Sequence, residues 1–275
     1  MGGHMPEKLI ALLLGLVGML YAAMPAQAAL ICTLLADADT RVVLLAEGDC
    51  ETRVTPASTF KLPLAVMAFD AGIITSPREP KLPFRAGYPD WVAAWRQDTD
   101  PTMWMLYSNV WYSQRLTEQL GTERLASYAR AFGYGNGDFS GDPGRDNGLE
   151  RSWISSSLKI SPLEQAGFVA ALITGQLPVD ADAAAGALSL LESPGEADGW
   201  QVRGKTGSAY PRRADYSFDY ARGWGWYVGW AEKAGRRVAF VRLNQDDQRH
   251  DVSGGLRARE ELMRDWPALA HRAGL

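Results

Sequence analysis

Residues 9–23 read LIALLLGLVGMLYAA, an unbroken apolar run behind Lys8. Pro25 and the small-x-small triplet Ala26-Gln27-Ala28 follow. Together they predict a secretory signal peptide over 1–28, cut after Ala28, rather than a retained membrane anchor. Beyond it the rhythm changes. Residues 41–46, RVVLLA, form a short apolar run closed by Glu47-Gly48-Asp49, which predicts a strand and turn. From Thr59 to Ala71 apolar positions recur at helical spacing and stop at Gly72, with Pro63 in the opening turns where a missing N–H costs least. Residues 78–102 carry closely spaced prolines among charged and aromatic residues and predict loops. Helical periodicity returns over 102–132, interrupted at Gly121, and the glycine-rich stretch 133–149 predicts an irregular connection. Ser161-Pro162-Leu163-Glu164 then has the form of a helix start, with Ser as cap, Pro in the first turn and Glu closing a capping box.

The C-terminal third is strand-like. Residues 200–208, 222–231 and 238–244 are short, aromatic and β-branched, and the polar turn Lys233–Arg237 separates the last two. That predicts a strand and an antiparallel hairpin. An amphipathic helix closes the chain from about Leu256 to Ala273. Strand-rich ends around a helical middle predict an α+β fold. Its antiparallel sheet subdomain, 29–60 and 190–275, is flanked by terminal helices, and an all-helical subdomain, 61–189, is inserted between.

Composition narrows the chemistry. With 275 residues, 47% hydrophobic and 22% charged, the chain is long enough for a sizeable core and far from a disordered composition. A net charge of −4 gives no general field for nucleic acid or anionic membrane. Two cysteines, Cys32 and Cys50, build neither a disulfide framework nor a Cys-rich zinc site. Export permits one disulfide between them, and two buried free thiols is the other reading. His4 leaves with the signal, so only His250 and His271 remain for a Ser-His-Asp triad or a His-rich metal site. No metal is expected, and a nucleophile here needs another base.

Ser58-Thr59-Phe60-Lys61 supplies one. Residues i and i+3 on the opening turn of a helix face the same side, and the positive helix end favours an alkoxide-like transition state. Alone the pattern is weak, and a second copy, Ser156-Ser157-Leu158-Lys159, reads as a solvated stretch because no apolar helix follows its serine directly. Three other fragments strengthen the first. Lys205-Thr206-Gly207 ends a strand, offering a cation and a hydroxyl to a carboxylate while Gly207 lets substrate approach the backbone. Ser108-Asn109-Val110 puts a second hydroxyl in the helical middle, and Tyr134-Gly135-Asn136 lies in the glycine-rich connection.

This constellation, with Trp153-Ile154 leading into Leu158-Lys159-Ile160-Ser161, resembles the class D serine β-lactamases, the oxacillinases. No Glu-bearing loop of the class A kind is present, and Tyr-Gly-Asn stands where class C has Tyr-Ala-Asn. The resemblance implies that Ser58 attacks the β-lactam carbonyl. It also implies that Lys61 is carbamylated by carbon dioxide and is the base for both acylation and deacylation. No other cofactor is implied. Phe60, Val110 and Ile154 become candidates for the apolar wall that keeps the lysine neutral, and Trp153 for the indole donor to the carbamate. Ser108 would relay a proton toward the lactam nitrogen with support from Lys205. Thr206, Ser208 and an arginine, Arg259 with Arg257 as competitor, would receive the substrate carboxylate. The N–H groups of Ser58 and Ser208 would form the oxyanion hole. Ile154 replaces a leucine of many relatives and puts the deacylation rate in question. Two other readings share the framework: a penicillin-binding transpeptidase and a β-lactam sensor that is acylated without turnover. The expected partners are β-lactam small molecules and no nucleic acid, in a periplasmic or secreted monomer or homodimer.

Overall fold

The computed structural model describes residue 1, residues 29–191 and residues 195–275, so the predicted signal peptide lies outside the described residues. Six strands form one antiparallel sheet: β1 (Ala29–Asp37), β2 (Val43–Gly48), β3 (Gly195–Ala197), β4 (Trp200–Ala209), β5 (Trp224–Lys233) and β6 (Arg236–Gln245). They are ordered β2-β1-β6-β5-β4-β3. The two ends of the chain thus meet where β1 pairs with β6. Seven helices complete the described fold: α1 (Lys61–Asp70), α2 (Pro101–Leu106), α3 (Val110–Phe132), α4 (Gly148–Arg151), α5 (Pro162–Ile173), α6 (Ala181–Ser189) and α7 (Gly254–Arg272).

The strand expected at 41–46 lies at Val43–Gly48 because Glu47 and Gly48 still pair with Thr33 and Cys32 of β1. Gly48 ends it with φ +82, in contact with the Ile31 carbonyl, a place with no room for a side chain. β1 itself matched no sequence pattern. Residues 32–36 are buried without a break, so the alternation that marks a half-exposed strand is missing. The turn of the β5–β6 hairpin is tighter than Lys233–Arg237. Ala234 and Gly235 both have positive φ, as a two-residue turn between twisted strands requires.

Side-chain alternation divides the core in two. Trp226, Val228, Val241 and Leu243 face one side with the helical layer, where α5 packs on the sheet. Tyr227 and Phe240 face the other side and pack against Leu262 and Trp266 of α7. Among the described residues α7 is the one terminal helix on the sheet; what precedes β1 is outside them. α5 begins as its sequence requires, with the Ser161 hydroxyl accepting from Glu164 N–H and the Glu164 carboxylate accepting from Ser161 N–H. Arg53 holds that same carboxylate through Nε at 2.9 Å. The periodic segment 102–132 is broken twice: between α2 and α3, and inside α3 at Gly121, where φ 76 and ψ 160 leave the helix at the expected interruption. Asn109 caps α3 by accepting from Tyr112 N–H, so the chain must break at Ser108, which has φ 54. Cys32 and Cys50 form a disulfide that ties β1 to the segment after β2.

Candidate active site

The nucleophile candidate sits on a strained turn. Residues Ala57–Phe60 form a 3-10 turn that runs directly into α1, so Ser58 precedes the α-helix instead of opening it. Ala57, immediately before it, has φ 52, a conformation a non-glycine residue keeps only where its surroundings hold it. Ala57 N–H donates to Trp153 O at 3.1 Å, and Gly207 of β4 packs on the other side. A Cβ on Gly207 would stand 3.1 Å from Pro56 O and from Thr59 N. Its first role is therefore to admit the protein's own turn.

Lys61 Nζ lies 3.4 Å from Ser58 Oγ, and the whole Lys61 side chain is 0% exposed. Desolvation, with the charge of Lys205 adding to it, holds this amine well below the ordinary lysine range. Lys205 Nζ donates to Ser108 Oγ at 3.1 Å and to Thr206 O at 3.2 Å. The Lys–Thr–Gly segment, which lies within β4 because the strand pairs on to Ala209, and the Ser–Asn–Val break thus meet at one lysine. Ser58, Ser108, Val110, Trp153, Ile154, Thr206, Gly207 and Ser208 line a single groove of about 250 Å³. Phe60 is buried beneath it, its ring stacked on Trp153 with centroids 5.3 Å apart. A larger cavity of about 680 Å³, between the Asp142–Arg151 and Arg212–Phe218 segments, contains no serine or lysine and none of these groups.

Residues 31–267 match the family model of the penicillin-binding protein transpeptidase domain. The chain is 43% identical to the β-lactamase OXA-9 of Klebsiella pneumoniae over 86% of its own length and 87% of that protein's. It is 33% identical to the β-lactamase OXA-1 of Escherichia coli, covering 84% and 82%. The crystal structure of the OXA-427 class D β-lactamase superposes with a TM-score of 0.81 at 45% identity, covering 88% of this chain and 99% of that one. The chain belongs to the class D β-lactamases.

The class D groove has walls that the sequence motifs did not announce. Trp91, Val92 and Trp95, from the proline-rich segment, and Ser253, before α7, also line it. Trp95 Nε1 donates to Tyr107 O at 2.8 Å, which ties this segment to the break at Ser108, whereas Trp91 is 60% exposed. No spacing marks these residues; only a clustering of aromatics between prolines hints at them. Trp153 is buried, stacked on Phe60, and lines the groove.

The C-terminal arginines separate cleanly. Arg257 is engaged, donating to Asp246 at 2.5 Å and to Val252 O at 3.1 Å. Arg259 lies near enough to Tyr227 to act electrostatically on its phenol. Tyr227 is the register partner of Thr206, so the two side chains emerge on one face of the sheet. Neither arginine lines the groove itself. Ser208 Oγ accepts from Gly255 N–H at 2.8 Å and keeps its own proton to donate. Ser156 donates to Asp142 at 2.7 Å and Lys159 is exposed, so the second Ser-x-x-Lys lies outside the groove. Tyr134-Gly135-Asn136 also lies behind the groove, where Asn136 Oδ1 accepts from Lys159 N–H and Gly135 packs on Lys159 O. His250, 3.9 Å from Asp246, and His271 in α7 are not part of the groove.

Proposed function

We propose that the protein hydrolyses β-lactam antibiotics through an acyl-enzyme on Ser58, with Lys61 as the base. The observation that carries this reading is a fully buried, neutral-biased amine 3.4 Å from a hydroxyl on a strained turn. An ordinary ammonium cannot take the Ser58 proton, whereas a neutral amine can. The neutral amine is also the form that attacks carbon dioxide and then sheds a proton; Val110 and Ile154 favour that neutral amine, and the Trp153 N–H would donate to the anion so formed. Carbamylated, Lys61 supplies an anionic base strong enough to activate water for deacylation as well as Ser58 for acylation.

Ser58 Oγ attacks the lactam carbonyl while the N–H groups of Ser58 and Ser208 receive the developing oxyanion. Ser108, held by Lys205, passes a proton to the departing lactam nitrogen. Thr206, Ser208 and Arg259 receive the substrate carboxylate. Arg259 is chosen because Arg257 is already committed to Asp246. Gly207 and the aliphatic pair Val110 and Ile154 shape the floor, the pair controlling water access to Lys61. The same reading makes residues 1–28 a cleaved signal peptide and the mature chain periplasmic or secreted; the Cys32–Cys50 disulfide fits an oxidising compartment.

The test is a hydrolysis assay with penicillin, oxacillin and imipenem, paired with mass spectrometry of the acylated protein. Ser58→Ala is expected to abolish both turnover and the covalent adduct, and Ser156→Ala to leave both intact. An adduct on another serine contradicts the assignment. Stoichiometric acylation without turnover favours the sensor or transpeptidase reading.

A further inference from the structure

The Tyr134-Gly135-Asn136 motif takes no part in the chemistry described above, yet Tyr134 is fully buried with a hydroxyl to satisfy. It opens a chain of hydrogen bonds that ends beneath the nucleophile. Tyr134 OH donates to Gln165 Oε1 at 3.4 Å, and Gln165 Nε2 donates to Thr59 Oγ1 at 2.7 Å. Thr59 OH donates in turn to Pro56 O at 2.7 Å. Tyr134, Gln165 and Thr59 are each no more than 1% exposed, so no water substitutes for a lost partner. The direction of the chain is fixed. Threonine has one proton and Pro56 O takes it, so Gln165 must present its NH2 to Thr59 and its carbonyl to Tyr134. Burial pushes the Tyr134 phenol up, which keeps it a donor.

The far end of this chain is the strained turn itself. Pro56 O accepts from both Thr59 Oγ1 and Thr59 N–H, and the next residue is Ala57 with φ 52. Gly207 bounds the same atoms from the sheet side, and Trp153 O holds Ala57 N–H from a third side. Gln165 reaches this turn from α5, whose start is independently fixed by the Ser161–Glu164 capping box.

We propose that Gln165 is a positioning residue for the reaction: through Thr59 it holds the Pro56–Ser58 turn in the strained conformation that aims the Ser58 hydroxyl and backbone N–H. Tyr134 orients the Gln165 amide, which gives the Tyr-Gly-Asn motif a role in catalysis at a distance from the substrate. The inference rests on the reading of Ser58 as nucleophile. A displaced turn slows acylation because reacting groups misplaced by about 1 Å cost up to about a hundredfold in rate.

The experiment compares single-turnover acylation by a chromogenic cephalosporin in the parent, Gln165→Leu, Thr59→Val and Thr59→Ser, at a temperature where each is folded. Rates are normalised to the active sites titrated by a fluorescent penicillin. Thr59→Val keeps the side-chain volume and removes the hydroxyl, and Thr59→Ser returns it. We expect Gln165→Leu and Thr59→Val each to slow acylation by about ten- to a hundredfold. Thr59→Ser should recover to within about threefold of the parent, and a Gln165→Leu/Thr59→Val double variant, made alongside, should be no slower than the slower single one. Loss of thermal stability in Gln165→Leu and Thr59→Val with acylation within twofold of the parent would overturn the proposal. So would equal slowing in Thr59→Ser and Thr59→Val. Should Gln165→Leu not fold, the two Thr59 variants decide alone. An adduct on Ser58 in the parent, located by mass spectrometry, keeps the two failures apart: without it the nucleophile reading falls and the positioning role with it, whereas an adduct with unslowed variants overturns the positioning alone.

Discussion

Lys61 carries a cost that its chemistry explains. Its folded pKa is lowered from the ordinary 10.5 by burial and by Lys205, so between those two values the unfolded chain binds a proton that the folded chain does not. Stability therefore rises with pH across that window, and the full penalty is felt below it. Lys61→Met is accordingly expected to abolish turnover and to raise Tm, most at acidic pH and progressively less as pH approaches 10.5; thermal melts over that range check it. An unchanged Tm at every pH contradicts a neutral buried amine. At Trp153 the expectation is kinetic. On the proposed carbamate the Trp153 N–H would make a charge-assisted hydrogen bond worth about 1.5–3 kcal/mol, and its loss would shift Lys61 toward free amine. Trp153→Ala should then deacylate more slowly than it acylates, giving in stopped-flow a burst near one equivalent followed by a slow steady state. Turnover at the parent rate without a burst would reduce Trp153 to a core aromatic. These residues were legible because Ser58, Lys61, Ser108 and Lys205 sit in short motifs whose chemistry is local. Trp91 and Trp95 were not, since only the path of the proline-rich segment brings them to the groove.

Elements were legible where their ends carry their own signals. The capping box of α5, the hairpin of β5 and β6 and the apolar stripe of α7 all follow from neighbours in sequence. Ser161→Ala removes one such signal and should destabilise the protein by about 1 kcal/mol, lowering Tm by roughly 2–4 °C in a thermal melt. No change in Tm would mean that Arg53 and Glu164 hold the helix start without it. β1, α6 and the break between α2 and α3 were not legible. β1 is covered on both faces, and the break at Ser108, set by the Asn109 cap, lies inside an otherwise continuous helical periodicity that hides it. Close approach between elements is equally silent in a sequence. Gly225 of β5 lies against the Gly254 backbone at the start of α7, with no room for a side chain. Gly225→Ala should cost about 1–3 kcal/mol by overpacking, read as a lowered midpoint in urea denaturation. An unchanged midpoint would show that α7 shifts freely on the sheet.

At the scale of the whole molecule, one sheet joins both ends of the chain, and the groove lies where the inserted helices meet β4. The α+β order of this arrangement was legible from the change of rhythm along the chain. The pairing of the termini was not, because no local pattern encodes which strands become neighbours. The Cys32–Cys50 bridge, left open by sequence, closes an 18-residue separation at the edge of that sheet. Replacing both cysteines by serine should cost about 3 kcal/mol, or roughly 6–12 °C in Tm. The groove is built elsewhere, so the activity of the folded variant should remain; if activity is lost while Tm holds, the bridge shapes the site. The central claim, that a neutral buried Lys61 takes up carbon dioxide and drives turnover at Ser58, is tested most directly by one titration. Acidified, carbon dioxide-depleted enzyme is returned to neutral pH with increasing 13C-bicarbonate, and penicillin hydrolysis and the 13C NMR spectrum are recorded on the same samples. The account predicts a carbamate resonance that grows in step with activity and is missing from Lys61→Met. Full activity without bicarbonate, and no labelled carbon on Lys61, would contradict it.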